Sequence, residues 1–168
     1  MGAFDGSKIP PINYPERLIS NINSLLTWFR QNQKPIIFIQ DCGEVGGAFE
    51  KGTPQWQIHN EIQPRDDEKV ILKFSSNAFR DTNLREACLE LSIETLVLCG
   101  LHSEHCFSTT ALASQKLGFK TISVKDGHGT SQKSNEIADE VLSYQNDLLK
   151  GQGIEVITTQ DILKLAVL

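Results

Sequence analysis

The sequence predicts an α/β fold, a three-layer α/β/α sandwich in which helices cover both faces of a mostly parallel, Rossmann-like sheet. Short apolar segments alternate with segments of helical periodicity along almost the whole chain. The apolar segments lack polar alternation, which is typical of strands covered on both faces. The alternation of strand segments with helical segments favours right-handed crossover units. With 168 residues, the chain is expected to form a single domain spanning residues 1–168.

The elements follow in chain order. A first helix begins at Pro15, a residue favoured near helix starts, and places apolar side chains on one face at helical spacing. Strands are predicted at 35–40, 69–73, 94–100, 120–125 and 154–158, and the remaining helices at 83–92, 103–118, 135–150 and 160–166. Residues 41–69 form a long glycine-rich stretch without regular periodicity, and loops of this length usually carry function.

Composition excludes several classes of function. The net charge of −5 argues against nucleic acid or an anionic membrane as the main partner. No apolar segment approaches the roughly 18 residues that cross a bilayer, and the N-terminus lacks an apolar signal core. We therefore expect a cytoplasmic protein.

Polar residues follow four of the predicted strands. They are Asp41, Lys73, the turn 100–106 and Asp126. Because sites in parallel sheets lie beyond the carboxyl ends of the strands, these positions predict a catalytic crevice at one edge of the sheet.

Cys106 is the candidate nucleophile at that edge. Ser103 is a favoured helix N-cap, which would place Cys106 in the first turn of the helix that follows the third predicted strand. Backbone N–H groups and the helix dipole favour an anion there, so they would stabilise a thiolate and a developing oxyanion. Cys88 and Cys99, by contrast, are expected to be small buried core residues.

Lys73 has two interpretations. A lysine at a strand end is commonly a solvated charge. Beside a thiolate at the same edge, its ammonium would instead stabilise the thiolate and polarise a substrate carbonyl. The histidines occur in none of the spacings His-x-His, Asp-x-His or His-Glu-x-x-His, so we predict no metal site. No phosphate-binding glycine motif follows a strand, and we predict no cofactor.

Three sequence blocks, in this order, resemble those of the isochorismatase-like cysteine hydrolases. They are Gly52-Thr-Pro-Gln-Trp56-Gln-Ile-His59, Lys73 followed by Asn77-Ala-Phe79 and Thr82-Asn-Leu84, and Gly100-Leu-His-Ser-Glu-His-Cys106-Phe-Ser-Thr-Thr110-Ala111. The resemblance covers most of the chain. It implies an isochorismatase-like hydrolase domain in which the Cys106 thiolate attacks an amide or related carbon with help from Lys73.

The resemblance also implies features around the substrate. Trp56, Phe79, Leu101 and His102 are the side chains expected to surround a small-molecule substrate, and a non-proline cis peptide bond is expected near Leu101–His102. Homo-oligomers are common in the family, so a homo-oligomer is the expected assembly.

The chain departs from the family pattern at its start. Family members begin with an apolar strand that ends in Asp-x-Gln and whose aspartate acts as general base, and neither is present here. Either the chain is shortened or another group, with Asp5 and Asp41 as the nearby acids, takes that role. Loss of a central strand would leave backbone groups unpaired at about 1–3 kcal/mol each if buried, so residues 1–12 or a partner chain are expected to fill the gap. A further departure, Asp41-Cys-Gly43 in place of Asp-x-His, disfavours nicotinamidase activity.

Two functional hypotheses follow. The first is hydrolysis of the C–N bond of a small amide through a Cys106 adduct, with the substrate unidentified. The alternative is a hydrolase-like fold that serves as a binding or oligomerisation module, because the family aspartate is missing. A redox-sensing thiol is a third interpretation, although the motif has no resolving cysteine.

Overall fold

The computed structural model describes residues 10–165, and these contain five strands and five α-helices. The strands are β1 (Ile37–Asp41), β2 (Lys69–Lys73), β3 (Thr95–Leu101), β4 (Lys120–Gly129) and β5 (Glu155–Ile157). The helices are α1 (Pro15–Gln31), α2 (Leu84–Glu90), α3 (Ser108–Lys116), α4 (Asn135–Gly151) and α5 (Thr159–Leu163). Short 3₁₀ turns cover Pro54–Trp56 and Asn60–Ile62, and a wide turn covers Ser103–Phe107. The predicted α/β architecture is confirmed.

All strand pairs are parallel, but the strands form two separate groups. β1 pairs with β2, and β3, β4 and β5 form a three-stranded sheet in that order. Within residues 10–165, no ladder joins β1 to β3. Between these two strands lies an apolar cavity of about 590 Å³, lined by both strands, by α1 and by residues 91–94 after α2. We call this cavity the central slot.

Helix α1 covers one face of the slot and of the sheet. It begins with Pro15 as predicted, and its buried residues are Leu18, Ile19, Ile22, Leu25 and Leu26. Each buried aliphatic side chain contributes about 1.5–3 kcal/mol relative to exposure, so this single face attaches α1 firmly to the sheet. On the other face, α2 packs through Ala87 and Cys88. No helix within residues 10–165 combines the length and apolar character that crossing a bilayer requires.

Strand β4 extends four residues beyond its predicted end, whereas β3 has its predicted length and is shifted by one residue. β3 continues through Gly100, where φ is +134°, a conformation that favours glycine. After an irregularity at Leu98–Gly100, pairing with β4 resumes between Gly100 and His128 and between Leu101 and Gly129. The polar segment at 125–129 resembles a turn in sequence, but this pairing with β3 keeps it extended.

Candidate active site

The parallel register of β1 and β2 places Asp41 directly beside Lys73 at the carboxyl ends of both strands. Lys73 Nζ donates hydrogen bonds to Asp41 Oδ2 and, over 3.1 Å, to the carbonyl of Ser75. The Lys73 side chain is 6% exposed. A buried ammonium needs such partners, and the carboxylate of Asp41 supplies the compensating charge. Lys73 is therefore a buried, hydrogen-bonded ammonium and not a solvated surface charge.

The Cys106 sulfur lies against this ion pair. Its distance to Lys73 Nζ is 3.4 Å, and its distance to Asp41 Oδ2 is 3.7 Å. Cys106 is partly exposed. Three groups that are 32 to 65 residues apart in sequence thus meet within contact distance, and we call Asp41, Lys73 and Cys106 the Cys–Lys–Asp cluster.

The turn that carries Cys106 differs from the prediction. Cys106 lies in the wide turn Ser103–Phe107, which precedes the regular helix α3 at Ser108. Backbone N–H groups of His105 and Phe107 both donate to the carbonyl of His102, over 3.0 and 3.2 Å. At His105 the backbone is non-helical, with φ −124° and ψ −105°.

The predicted N-cap role of Ser103 is wrong. Its hydroxyl donates to the carbonyl of Gly129 over 2.8 Å and lies 2.7 Å from Nδ1 of His128, so it joins the turn to β4. Ser103 is fully buried, and its hydroxyl contacts these interior partners instead of accepting a hydrogen bond from a helix N–H group. Cys106 is therefore positioned by a turn anchored to β4.

Leu101 and His102 immediately precede this turn, and the peptide bond between them is cis, as the resemblance implied. Nε2 of His102 lies 3.1 Å from the hydroxyl of Ser131. Burial lowers the pKa of His102, with His105 adding to the effect and Glu104 opposing it. The ring is therefore uncharged at neutral pH. Leu101 packs against the apolar cluster under α1.

Trp56 lies beside the end of β1, whereas Phe79 packs on an apolar cluster. The carbonyl of Trp56 accepts a hydrogen bond of 2.9 Å from Gln40 Nε2, which holds the 3₁₀ turn to the end of β1. The indole N–H of Trp56 is buried and has no hydrogen-bond partner among the described residues. Phe79 stacks on Phe119, with ring centroids 5.9 Å apart, and packs against the apolar cluster that includes Ile71.

Asp126 does not join the cluster, contrary to its predicted place at the catalytic edge. It lies within β4, and its Oδ1 accepts hydrogen bonds from the backbone N–H of Thr159 over 2.7 Å and from its hydroxyl over 2.9 Å. The carboxylate thereby satisfies a backbone donor at the first residue of α5. Its role is to attach α5 to the sheet.

A buried polar network that the sequence pattern did not predict lies behind the Cys106 turn. Nε2 of His128 is 3.1 Å from Oδ1 of Asn146, and the imidazole stacks on Phe107 with centroids 4.5 Å apart. His128 is 4% exposed, and burial lowers its pKa. The spacing of the histidines offers no signal for this network, because its partners come from three separate elements.

Cys99 also differs from its prediction as a buried core residue. It is exposed where it lines the central slot. The protein around the thiol solvates its charged form poorly and raises the pKa of Cys99 to about 11. Cys88, in contrast, is fully buried as predicted.

Comparison with known proteins defines the class to which this fold and site belong. Residues 14–161 match the model of the isochorismatase domain. An uncharacterized isochorismatase family protein of Bacillus subtilis, YddQ, is 28% identical over 96% of this chain and 92% of its own length. A streptothricin hydrolase of Streptomyces noursei is 28% identical over 68% of this chain, which aligns with only 46% of that enzyme.

Solved structures show the same architecture. An isochorismatase from Pseudomonas putida KT2440 superimposes with a TM-score of 0.84 at 27% identity, over 89% of this chain and 79% of that one. The chain therefore belongs to the isochorismatase family of hydrolases. The resemblance recognised from the three sequence blocks is confirmed.

Proposed function

We propose that the protein hydrolyses the C–N bond of a small amide, with Cys106 as nucleophile, Lys73 as its electrostatic partner and Asp41 as the proton acceptor. The observation that carries this proposal is the contact of one sulfur with both an ammonium, at 3.4 Å, and a carboxylate, at 3.7 Å. A thiol becomes a strong nucleophile as the thiolate, and these two groups supply both the base and the stabilising charge. Asp41 is the carboxylate in contact with the sulfur, and it takes the role of general base.

The first half of the reaction forms an acyl-enzyme. Asp41 accepts the proton of Cys106, and the thiolate attacks the amide carbon to form a C–S bond. The adjacent Lys73 ammonium offsets the negative charge that develops on the amide oxygen. Collapse of this adduct breaks the C–N bond, and the departing nitrogen takes the proton back from Asp41. A thioester on Cys106 and a free amine or ammonia result.

The second half regenerates the thiol. Asp41 accepts a proton from water, whose oxygen attacks the thioester carbon. The C–S bond breaks, the carboxylic acid product leaves and the sulfur regains its proton from Asp41. One carboxylate thus serves as base and then acid in each half, which requires it to stay within proton-transfer distance of the sulfur.

Trp56 and His102 are the side chains that we place against the substrate. The unpartnered indole N–H of Trp56 is a donor for a substrate oxygen. His102 is neutral and hydrogen-bonded to Ser131, so it orients a polar substrate group without adding charge. Leu101 and Phe79 are the apolar side chains that we place around the substrate, and each packs against an apolar cluster.

The test of the nucleophile needs no knowledge of the substrate. We expect iodoacetamide at neutral pH to label Cys106 roughly 10²–10³-fold faster than the other three cysteines, because Lys73 stabilises its thiolate, Cys42 and Cys88 are buried and the pKa of Cys99 is about 11. Lys73→Met should slow the labelling of Cys106 itself roughly tenfold. Lys69→Met is the matched control, since Lys69 pairs with Glu90 at an exposed position on the same strand. Equal, slow labelling of all four thiols would contradict the proposal.

Turnover is tested with a panel of small amides by ammonia release. Cys106→Ser should abolish release, and Cys99→Ser, which changes another accessible thiol, should retain it. If the parent protein releases no ammonia from any amide although Cys106 reacts rapidly, the binding or oligomerisation module becomes the better interpretation. Size-exclusion chromatography then measures the expected homo-oligomer.

A further inference from the structure

Thr110 joins the helix that follows the Cys106 turn to residues 74–83, which we call the β2–α2 loop. It is the third residue of α3 and comes four residues after Cys106. Its hydroxyl accepts a hydrogen bond of 3.1 Å from the backbone N–H of Ala78 and donates one of 3.3 Å to the carbonyl of Ser76. One side chain on α3 thus holds two backbone groups of the β2–α2 loop.

The same loop supplies a hydrogen-bond acceptor to the catalytic ammonium. Lys73 Nζ donates to the carbonyl of Ser75 over 3.1 Å and lies 3.4 Å from the Cys106 sulfur. A lysine carries its charge on a flexible four-carbon stem, so the acceptors around it decide where the ammonium lies. Ser75 immediately precedes Ser76, whose carbonyl is held by Thr110. The acceptor that directs Lys73 is therefore one residue away from the contact with α3.

Hydrogen bonds within the β2–α2 loop connect the two contacts. The hydroxyl of Ser75 donates to the carbonyl of Asn77, and the N–H of Phe79 donates to the side-chain oxygen of Asn77, both over 3.0 Å. The hydroxyl of Thr82 donates to the carbonyl of Ala78 over 2.6 Å, and Ala78 is 1% exposed. A displacement at Ala78 is therefore transmitted to Ser75.

We infer that Thr110 is a positioning residue, whose hydroxyl fixes the β2–α2 loop to α3 and thereby holds the Lys73 ammonium beside the Cys106 sulfur. This role rests on the proposed function, in which the ammonium stabilises the Cys106 thiolate. The attraction between two charges depends on their separation and is stronger in a partly buried site than in water. A small shift of the loop therefore changes how readily the thiol ionises, although Thr110 touches neither reacting group.

A purely structural role for Thr110 predicts a different result. Loss of the hydroxyl would then destabilise the fold, because the N–H of Ala78 loses its acceptor, but it would leave the ionisation of Cys106 unchanged. The pH profile of alkylation separates the two roles, since only the thiolate reacts. The midpoint of the profile reports ionisation of the thiol, whereas its plateau at high pH reports access to the sulfur.

The experiment measures the rate at which iodoacetamide labels Cys106 in the full chain across the pH range, with peptide mass spectrometry to identify the site. Thr110→Val keeps the shape of the side chain but removes the hydroxyl. We expect its midpoint to move up by about half to one pH unit and its labelling at neutral pH to slow about three- to tenfold. Thr110→Ala, which also lacks the hydroxyl but adds no methyl group beside the loop, should move the midpoint by the same amount.

Two further variants are the matched controls. Thr110→Ser keeps the hydroxyl and should retain the parental midpoint. Thr109→Val makes the same chemical change at the preceding, exposed residue of α3 and should also retain it. Circular dichroism verifies that each variant is folded.

A double variant tests whether Thr110 acts through the ammonium. Lys73→Met should move the midpoint further than Thr110→Val does. Addition of Thr110→Val to Lys73→Met should produce no further shift, because the group that Thr110 positions is then absent. An additional shift in the double variant would show that Thr110 affects the thiol by another route and would overturn this role.

Other outcomes separate this role from the proposed function. If Lys73→Met moves the midpoint but Thr110→Val and Thr110→Ala do not, Thr110 is not a positioning residue and the proposed function is unaffected. An equal shift in Thr109→Val would also remove the assignment to Thr110. If Lys73→Met itself leaves the midpoint unchanged, the ammonium is not the electrostatic partner of the thiolate, and the role of Thr110 is overturned together with that part of the proposed function.

Discussion

Asp41 and Lys73 occupy equivalent positions on paired parallel strands, and their side chains form an ion pair that contacts the Cys106 sulfur. The pairing is a direct consequence of register, because parallel neighbours that end together bring their last side chains to one edge. Neither residue stands in a recognisable catalytic motif with the other in sequence. Their proximity comes from the fold, which also brings Asp41 Oδ2 to 3.7 Å from the Cys106 sulfur.

The first prediction tests which of two acids, Asp41 or Asp5, is the general base. Asp41→Asn removes the proton acceptor but preserves the shape of the side chain, so kcat on the fastest amide should fall roughly 10²–10⁴-fold. Asp5→Asn is the matched comparison; Asp5 lies outside the described residues. Steady-state kinetics on both variants, with circular dichroism to verify folding, make the measurement. A large loss in Asp5→Asn with normal activity in Asp41→Asn would assign the base to the other acid.

The sequence was most informative where local pattern decides structure. The strand at 69–73 was predicted with its observed ends, and the apolar face of the first helix is the face that packs. Such elements are specified by residues close in sequence, through periodicity and through Pro15 at the helix start. The prediction that Lys73 and Cys106 share one edge follows from the alternation of strands and helices, because the carboxyl ends of parallel strands meet at one edge of the sheet.

Other predictions were wrong where a side chain suited to one local structure contacts a residue that is distant in sequence. Ser103 has the chemistry of an N-cap, but Gly129 and His128 engage its hydroxyl in the interior. Asp126 follows a predicted strand end, but β4 continues past it and Thr159 uses its carboxylate. Cys99 was expected to be buried, but it lines the slot between β1 and β3. In each case the deciding contact lies in another part of the chain.

The second prediction concerns the unpartnered indole of Trp56. Trp56→Phe removes the N–H but keeps an aromatic ring, so KM should rise about two- to tenfold, which corresponds to the loss of one hydrogen bond. The matched control is Trp28→Phe on α1, where the ring makes an edge contact with Phe29. The comparison requires KM and kcat separately. An unchanged KM in Trp56→Phe would remove the indole N–H from the list of substrate contacts.

The third prediction concerns the ion pair that joins α1 to the segment before β2. Arg30 donates two hydrogen bonds of 2.8 Å to the two carboxylate oxygens of Glu68, and both side chains are largely buried. The hydrogen bond from Arg30 lowers the pKa of Glu68. Its contribution to stability is therefore present at neutral pH and is lost as the pH falls through the lowered pKa.

Glu68→Gln should lower the free energy of unfolding by about 1–3 kcal/mol at pH 7 and by less at pH 3. Glu90→Gln, which breaks the exposed pair with Lys69, should cost about 0–1 kcal/mol. Urea denaturation at both pH values measures the difference. Equal effects of the two substitutions at pH 7 would show that burial gives the Arg30–Glu68 pair no advantage.

The fourth prediction is a pH dependence that originates behind the Cys106 turn. Burial lowers the pKa of His128, so the folded protein keeps this ring neutral while the unfolded chain protonates it below about pH 6.5. The unfolded state then binds more protons, and the free energy of unfolding must decrease as the pH falls from 7.5 to 5.5. The pKa of His102 is also lowered, so this residue adds to the decrease.

His128→Gln should therefore reduce the pH dependence without abolishing it. Urea denaturation of the parent protein and of this variant at the two pH values measures the change in the dependence. A parental slope in His128→Gln would mean that the buried imidazole is not the titrating group.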